Sequence, residues 1–399
     1  MSPRLRLMVA AFGDAGHAFP AIALARGLEE RGHDVVVETW ERWRRPIEAL
    51  GLGFTAAEEY KTFPPPPPGS EQGAAAADAA RALLPFLEEW RPHAVVSDIL
   101  TVAPALAAEA AGLRRATLIP HIYPVHQAGW PFFSFGLMPP RTPLGGMGWR
   151  LGLPVFETGL RQGRRELNEQ RERLGLAPQE RFHGGISEEL ALVGTFPQLE
   201  YPRRWPAGVE VTGPMTFELP HPDIELPAGD DSLVIVASST AQDPEGKLVR
   251  WALEALADEP VRVVAATNRK PVDGPFAVPA NAVLVDWVSY SQVMPLASLV
   301  ICHGGHGTVA RALTAGAPLL VCPLVGDMAE NAIRVAWSGA GLALPWRLCG
   351  PRSLRWAARR VLGDRRFRER AEEMAAWGRE NDGAARGAEL VEHYAGGKR

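Results

Sequence analysis

The chain has 399 residues, 46% of them hydrophobic and 22% charged, with a formal net charge of −4 at pH 7. That length exceeds one ordinary domain and suffices for two large cores. The mild acidity argues against nucleic acid or anionic lipid as a partner, and no apolar run reaches the ~18 residues of a membrane span.

The first residues are basic, but the apolar run 7–11 is too short for the core of a signal peptide. Cys302, Cys322 and Cys349 are odd in number and lack metal-ligand spacing. Reduced thiols in a cytoplasmic protein are the expectation.

Short apolar runs alternate with helical patterns from the start. Residues 5–11 read as a strand, 19–31 as a helix closed by Gly32, and 34–39 as a second strand. Five consecutive prolines at 64–68 read as a stiff polyproline loop. A helix over 74–90 precedes a strand at 94–97, a helix at 101–111 and a strand at 116–119. The stretch 129–156 is rich in Gly, Pro and aromatics and has no period; a charged helix is expected at 159–174, then strands at 190–194 and 209–211. A proline-rich, polar connection follows. A second series then begins, with strands at 233–237, 261–266, 282–285, 298–302 and 318–321 and helices at 245–257, 308–315, 353–362 and 366–379. Short buried strands alternating with helices imply parallel sheets, so the fold class is α/β in two halves.

The most informative stretch runs from Trp287 to Gly341. The strand at 298–302 ends in His303-Gly304-Gly305-His306-Gly307-Thr308, and a helix follows. Three glycines between strand and helix let a ligand approach bare backbone amides, and the helix N-terminus suits a phosphate. Taken singly, such a turn is also an ordinary tight connection. Near the other end of the chain, His17 falls on the loop after the first strand, in Gly16-His17-Ala18-Phe19-Pro20, and Asp98 follows the strand at 94–97. A largely neutral imidazole can take a proton from a hydroxyl, and a carboxylate can steady it once charged. Both residues stand at carboxyl ends of strands, where open α/β sheets bind ligands. Alone, His17 reads as an exposed loop residue and Asp98 as a helix cap.

Together these segments resemble family 1 glycosyltransferases, the class containing plant and bacterial natural-product enzymes, from His17 to Gly341. The resemblance implies two facing Rossmann-like domains with an interdomain cleft, the GT-B architecture. It implies an acceptor-binding domain at 1–212, a linker at 213–230, a nucleotide-sugar-binding domain at 231–374, and a C-terminal helix at 375–399 that packs back on the first domain. By the same resemblance Trp287 stacks the base, Gln292 lies near the nucleoside, and His303 binds the diphosphate. Gly305, Gly307 and Thr308 form the phosphate loop, Asp327 holds sugar hydroxyls, and Asn331 opens the following helix. Ser238, Ser239 and Thr240 offer hydroxyls near the diphosphate. His17 would be the general base and Asp98 its orienting partner. Ile122, Tyr123, Trp130, Phe132 and Phe133 are candidates for an acceptor wall, with core packing as the competing reading; His121 and His126 share that loop, their orientation open. Two positions depart from the family pattern. Arg311 stands where a glutamate usually meets the ribose, and Met328 where a glutamine usually follows the acid. Arg311 cannot accept a hydrogen bond, and Met328 offers the sugar an apolar surface.

The implied function is inverting transfer of a hexose from a UDP- or TDP-sugar to a hydroxyl of a small, largely apolar natural product, phenol or macrolide. The nucleotide sugar is a substrate; no cofactor and no metal are expected, and neither nucleic acid nor membrane is a partner. Competing readings are a sugar-nucleotide epimerase or cell-wall precursor transferase on the same fold, and a non-catalytic nucleotide-sugar-binding auxiliary protein.

Overall fold

The computed structural model describes residues 3–57 and 75–397, apart from 222, 240–242, 244, 270–271, 273–275 and 325. The proline run and Thr240 lie outside the described residues. In the first half the chain forms β1 (Arg6–Ala10), α1 (Ala15–Glu30), β2 (Asp34–Thr39), α2 (Arg44–Glu48), β3 (Gly53–Ala56), α3 (Ala75–Trp90) and β4 (Ala94–Asp98). It continues with α4 (Val102–Ala110), β5 (Arg114–Ile119), α5 (Pro143–Arg173), β6 (Ala191–Val193) and β7 (Val209–Val211). These strands make one parallel sheet in the order β3-β2-β1-β4-β5-β6-β7. The second half holds β8 (Ser232–Ala237), α6 (Lys247–Leu256), β9 (Val261–Ala266), β10 (Ala282–Val285), α7 (Tyr290–Val293), β11 (Ala297–Cys302) and α8 (His306–Thr314). It closes with β12 (Leu319–Val321), α9 (Asp327–Ser338), β13 (Gly341–Ala343), α10 (Pro351–Gly363), α11 (Arg365–Glu380) and α12 (Gly383–Gly396). Its sheet is also parallel, in the order β10-β9-β8-β11-β12-β13.

Both sheets are buried on both faces, as parallel sheets with crossover helices must be. In the first, Leu7 and Val9 of β1 face one apolar cluster, while Met8 and Ala10 face another that includes Leu83 and Leu87 of α3. In the second, Ile235 and Ala237 face one cluster and Val234 and Val236 the opposite one, with α6 and α10. Among the described residues, no helix is long and apolar enough to cross a membrane.

Three local expectations need correction. The helix α5 begins at Pro143, well before the expected residue 159. Thr142 caps it, accepting from the Gly145 amide at 3.3 Å, and Pro143 occupies the first turn, where its missing N–H costs nothing. Strands β3 and β13 are additional edge strands, four and three residues long, too short to show a period. The C-terminal helix is two helices: Asp382 accepts from the amides of Ala384 and Ala385 at 2.9 Å each and starts α12 afresh. That helix lies against α1 of the first half. Ala388, Val391 and Ala395 join its core, and a Cβ on Gly27 would meet the Ala384 carbonyl at 3.1 Å.

Candidate active site

Each sheet reverses its winding direction between two adjacent strands, and ligands of such sheets bind at the carboxyl ends there. In the first sheet the pair is β1 and β4, with Ala10 opposite Ser97. His17 follows β1 and Asp98 ends β4, so chain topology alone brings them together. In the second sheet the pair is β8 and β11, with Ala237 opposite Cys302. Ser238 and Ser239 follow the one, His303 the other. Both switch points open on a single cleft lined by His17, Pro120, His121, Glu218, Ser238, Ser239, Asn268, Trp287, His303, Gly305, His306, Gly307, Thr308, Arg311, Asp327 and Met328, among others.

His17 Nδ1 lies 2.8 Å from Asp98 Oδ1, and the Asp98 side chain is wholly buried. The other carboxylate oxygen accepts from the Phe12 amide at 3.3 Å and the Thr101 hydroxyl at 3.4 Å. The Asp98 carboxylate thus points at Nδ1 and fixes the imidazole with its proton there, leaving Nε2 as a lone-pair acceptor towards the cleft. Burial alone would lower the His17 pKa, but the charge and hydrogen bond of Asp98, with Asp327 and Asp14 adding, raise it above 6.5. The arrangement is that of a strengthened base.

Across the cleft, the loop 303–305 is shaped by close packing. Gly304 has φ +91°, and a Cβ there would sit 2.8 Å from Val321 Cγ1 and 3.0 Å from the Met328 carbonyl. His303 Nδ1 lies 3.4 Å from the Ala237 carbonyl, which turns the ring over Gly305. The α8 N-terminus follows, with Gly305 in the capping position and no side-chain cap. Its first amides and the helix dipole face the cleft, a ready site for an anion. Asn331, 1% exposed, is a buckle for this loop and does not line the cleft. It donates to the Gly304 carbonyl at 2.9 Å and accepts from His306 Nδ1 at 3.2 Å.

Of the expected donor residues, Trp287 and Asp327 line the cleft and Met328 stands beside Asp327. Gln292 does not: it is exposed and donates to Asp223 at 2.8 Å. The reason is the face of α7, which buries Tyr290 and Val293 and turns Ser291 and Gln292 outward. Arg311 lies in the cleft wall, donating to the carbonyls of Phe217 and Gly307. Beside it is Glu218, which sequence reasoning missed. Burial alone would raise this carboxyl, but hydrogen bonds from Ser291 and Tyr290, with the charge of Arg311, hold it below its usual range.

The expected acceptor wall is largely core. Ile122 is fully buried, and Tyr123 and Phe132 are 5% exposed. Along the loop after β5, His121 faces the cleft, so the next side chain, Ile122, goes inward. Tyr123 donates its amide to Glu200 at 2.6 Å and packs on Trp205; Phe132 stacks on Phe156 at 4.0 Å between centroids; Trp130 packs on Tyr201. Phe133 alone of the five stacks on a cleft residue, His121, at 5.9 Å. Asn268, just past β9, is another cleft residue missed; its place at a strand's carboxyl end was the available signal.

Residues 250–393 match the family described as Erythromycin biosynthesis protein CIII-like, C-terminal domain. The chain is 29% identical to 4'-demethylrebeccamycin synthase of Lentzea aerocolonigenes, over 97% of this chain and 99% of that one. It is 27% identical to O-mycaminosyltylonolide 6-deoxyallosyltransferase of Streptomyces fradiae, over 98% of each. Its fold superposes on the solved glycotransferase of kitacinnamycin with a TM-score of 0.77, at 22% identity, covering 98% of this chain and 99% of that one. The chain is a glycosyltransferase with the GT-B fold, similar along its whole length to enzymes of Lentzea and Streptomyces and matching the EryCIII-like C-terminal domain over residues 250–393.

Proposed function

We propose that this glycosyltransferase is inverting and metal-independent, and moves a hexose from a nucleoside diphosphate sugar to a hydroxyl of a small, largely apolar natural product. The observation that carries the reading is the placement of the His17–Asp98 pair and the His303–α8 loop on one cleft, each at its sheet's switch point. The acceptor oxygen attacks the anomeric carbon and its proton passes to His17 Nε2. The bond to the diphosphate breaks as the new bond forms, so one displacement inverts the centre. Imidazolium forms beside a buried carboxylate, and the leaving diphosphate gathers charge at His303 and the α8 amides. Protein donors fill the role a divalent cation would otherwise serve.

The donor reading rests on two side chains. Met328 presents an apolar surface next to Asp327, and Arg311 presents no acceptor to a ribose hydroxyl. Fewer demands for hydroxyls favour tolerance of TDP-sugars and deoxysugars alongside UDP-glucose. A relative named as a 6-deoxyallosyltransferase supports it. The test is incubation with UDP-glucose or TDP-glucose and a panel of phenols and macrolides. A mass gain of one hexose is expected with either donor. No gain with any pair contradicts the transfer reading. A preference for UDP-glucose of roughly a thousandfold, about 4 kcal/mol, contradicts the donor reading, because a lost neutral hydrogen bond is worth about 1 kcal/mol.

A further inference from the structure

His121 stands next to His17 in the cleft, with ring centroids 6.0 Å apart and planes at 77°. The two imidazoles are wired alike. Each commits Nδ1 to the protein: His17 to Asp98, and His121 to the Ile122 carbonyl at 2.8 Å. A carbonyl only accepts, so His121 carries its proton on Nδ1 and a lone pair on Nε2. That Nε2 has no hydrogen-bond partner among the described residues and is not among the buried unpaired atoms, so it opens to the cleft that His121 lines. Phe133 backs the ring at 5.9 Å and holds it in place. Burial, with the charge of His17 adding, pushes the His121 pKa down to about 4, so the ring stays neutral while His17 works.

The cleft therefore offers two fixed hydrogen-bond acceptors side by side on its acceptor half. A single hydroxyl has one proton, and in the reacting complex that proton goes to His17. Once a bound acceptor displaces water from this part of the cleft, His121 Nε2 is left unpaired, which costs free energy unless the substrate brings another donor. We propose that His121 is a specificity-determining residue for the acceptor, taking a hydrogen bond from a second hydroxyl next to the one His17 deprotonates, so that vicinal diols and catechols are the preferred acceptor class. The inference rests on the transfer reading above.

The test uses three coumarins: esculetin, which is a catechol; its monomethyl ether scopoletin; and umbelliferone, which lacks the second oxygen. Wild type should favour esculetin over both by about tenfold or more in kcat/KM, the range of a hydrogen bond whose loss strands an acceptor that the bound substrate has covered. His121→Phe should bring that ratio close to one. His121→Gln, which keeps an accepting oxygen, should retain most of it. The proposal is overturned if wild type shows no preference for esculetin, or if His121→Phe keeps it. It is equally overturned if the substitution acts on the KM for the nucleotide sugar and leaves the acceptor ratio in place, which would make His121 a donor-sugar contact. Should His121→Phe fold poorly, the wild-type ratios and the Gln variant still decide. Transfer to no coumarin and to no member of the wider panel contradicts the transfer reading itself.

Discussion

Asp98→Asn removes one charge from the cleft and leaves the shape intact. In the native site Oδ1 takes the His17 Nδ1 proton and Oδ2 takes the Phe12 amide and Thr101 hydroxyl. Every contact on the carboxylate is donated to it, so an amide cannot satisfy both sides. With its oxygen towards His17, the Nδ2 group meets the Phe12 N–H head on. Flipped, Nδ2 meets His17 Nδ1 and drives the proton to Nε2, which removes the lone pair from the cleft. In the first orientation the loss is a charge-assisted bond to the forming imidazolium, about 1.5–3 kcal/mol, or roughly ten- to a hundredfold in kcat. In the second it is larger, of the order seen when a triad aspartate is replaced, about ten-thousandfold. The pH profile separates this from mere disruption. Burial lowers the His17 pKa, but Asp98, with Asp327 and Asp14 adding, raises it above 6.5, so kcat/KM should rise with pH through a limb above 6.5. Without the carboxylate the largest raising cause is gone, and the limb moves to lower pH. Steady-state kinetics from acid to mildly alkaline pH reads both quantities. A plateau within about threefold of wild type, or a limb that stays put, would refute the base assignment.

His17→Ala should cost at least about a hundredfold in transfer while calorimetry finds nucleotide affinity nearly unchanged, because the base serves the acceptor. Added EDTA should leave the rate alone; inhibition reversed by magnesium or manganese would show that a cation neutralises the leaving group after all. Gly304→Ala places a Cβ against Val321 and the Met328 carbonyl at φ +91°. Denaturant titration should show a loss of about 1–2 kcal/mol or more, and the donor KM should rise as the loop shifts.

The sheets were legible because their strands are short, apolar and bounded by turns; Val261–Ala266 and Asp34–Thr39 match their expected bounds. What escaped notice has a common cause. β3 and β13 sit at sheet edges, where three or four residues carry no detectable period. The start of α5 was hidden by glycines and Pro154, poor helix formers that a cap and packing of Trp149 and Phe156 on Phe132 override. In the site, residues tied to a strand end, such as His17, Asp98 and His303, could be placed from sequence, since topology fixes strand ends. Those set by the facing of a loop or a one-turn helix could not. Ile122 and Gln292 each differ from a cleft residue by a position or two, and side-chain direction there depends on tertiary packing. Glu218 comes from the segment joining the halves, where no period exists to point it anywhere.

The cleft needs its two halves in register, and one buried cation joins the elements that bear the chemistry. Arg334 lies on α9, the helix that begins at Asp327, and is 4% exposed. It donates to Glu330 on its own helix at 2.8 Å, then crosses to the first half, reaching the Leu199 carbonyl at 3.0 Å and Glu200 at 3.4 Å. Its guanidinium lies 3.3 Å over the Tyr201 ring. Glu200 in turn accepts the Tyr123 amide, two residues from His121. A chain of hydrogen bonds therefore runs from the helix bearing Asp327 to the loop bearing His121. Burial raises the Glu200 carboxyl despite the charge of Arg334, so this pair is costly to bury and expensive to break. A truncated Arg334 would leave the buried Glu200 and Glu330 without the cation that hydrogen-bonds to both. On the proposed mechanism, directional charged contacts at this point would hold His17 and the His303 loop at the separation that the displacement needs.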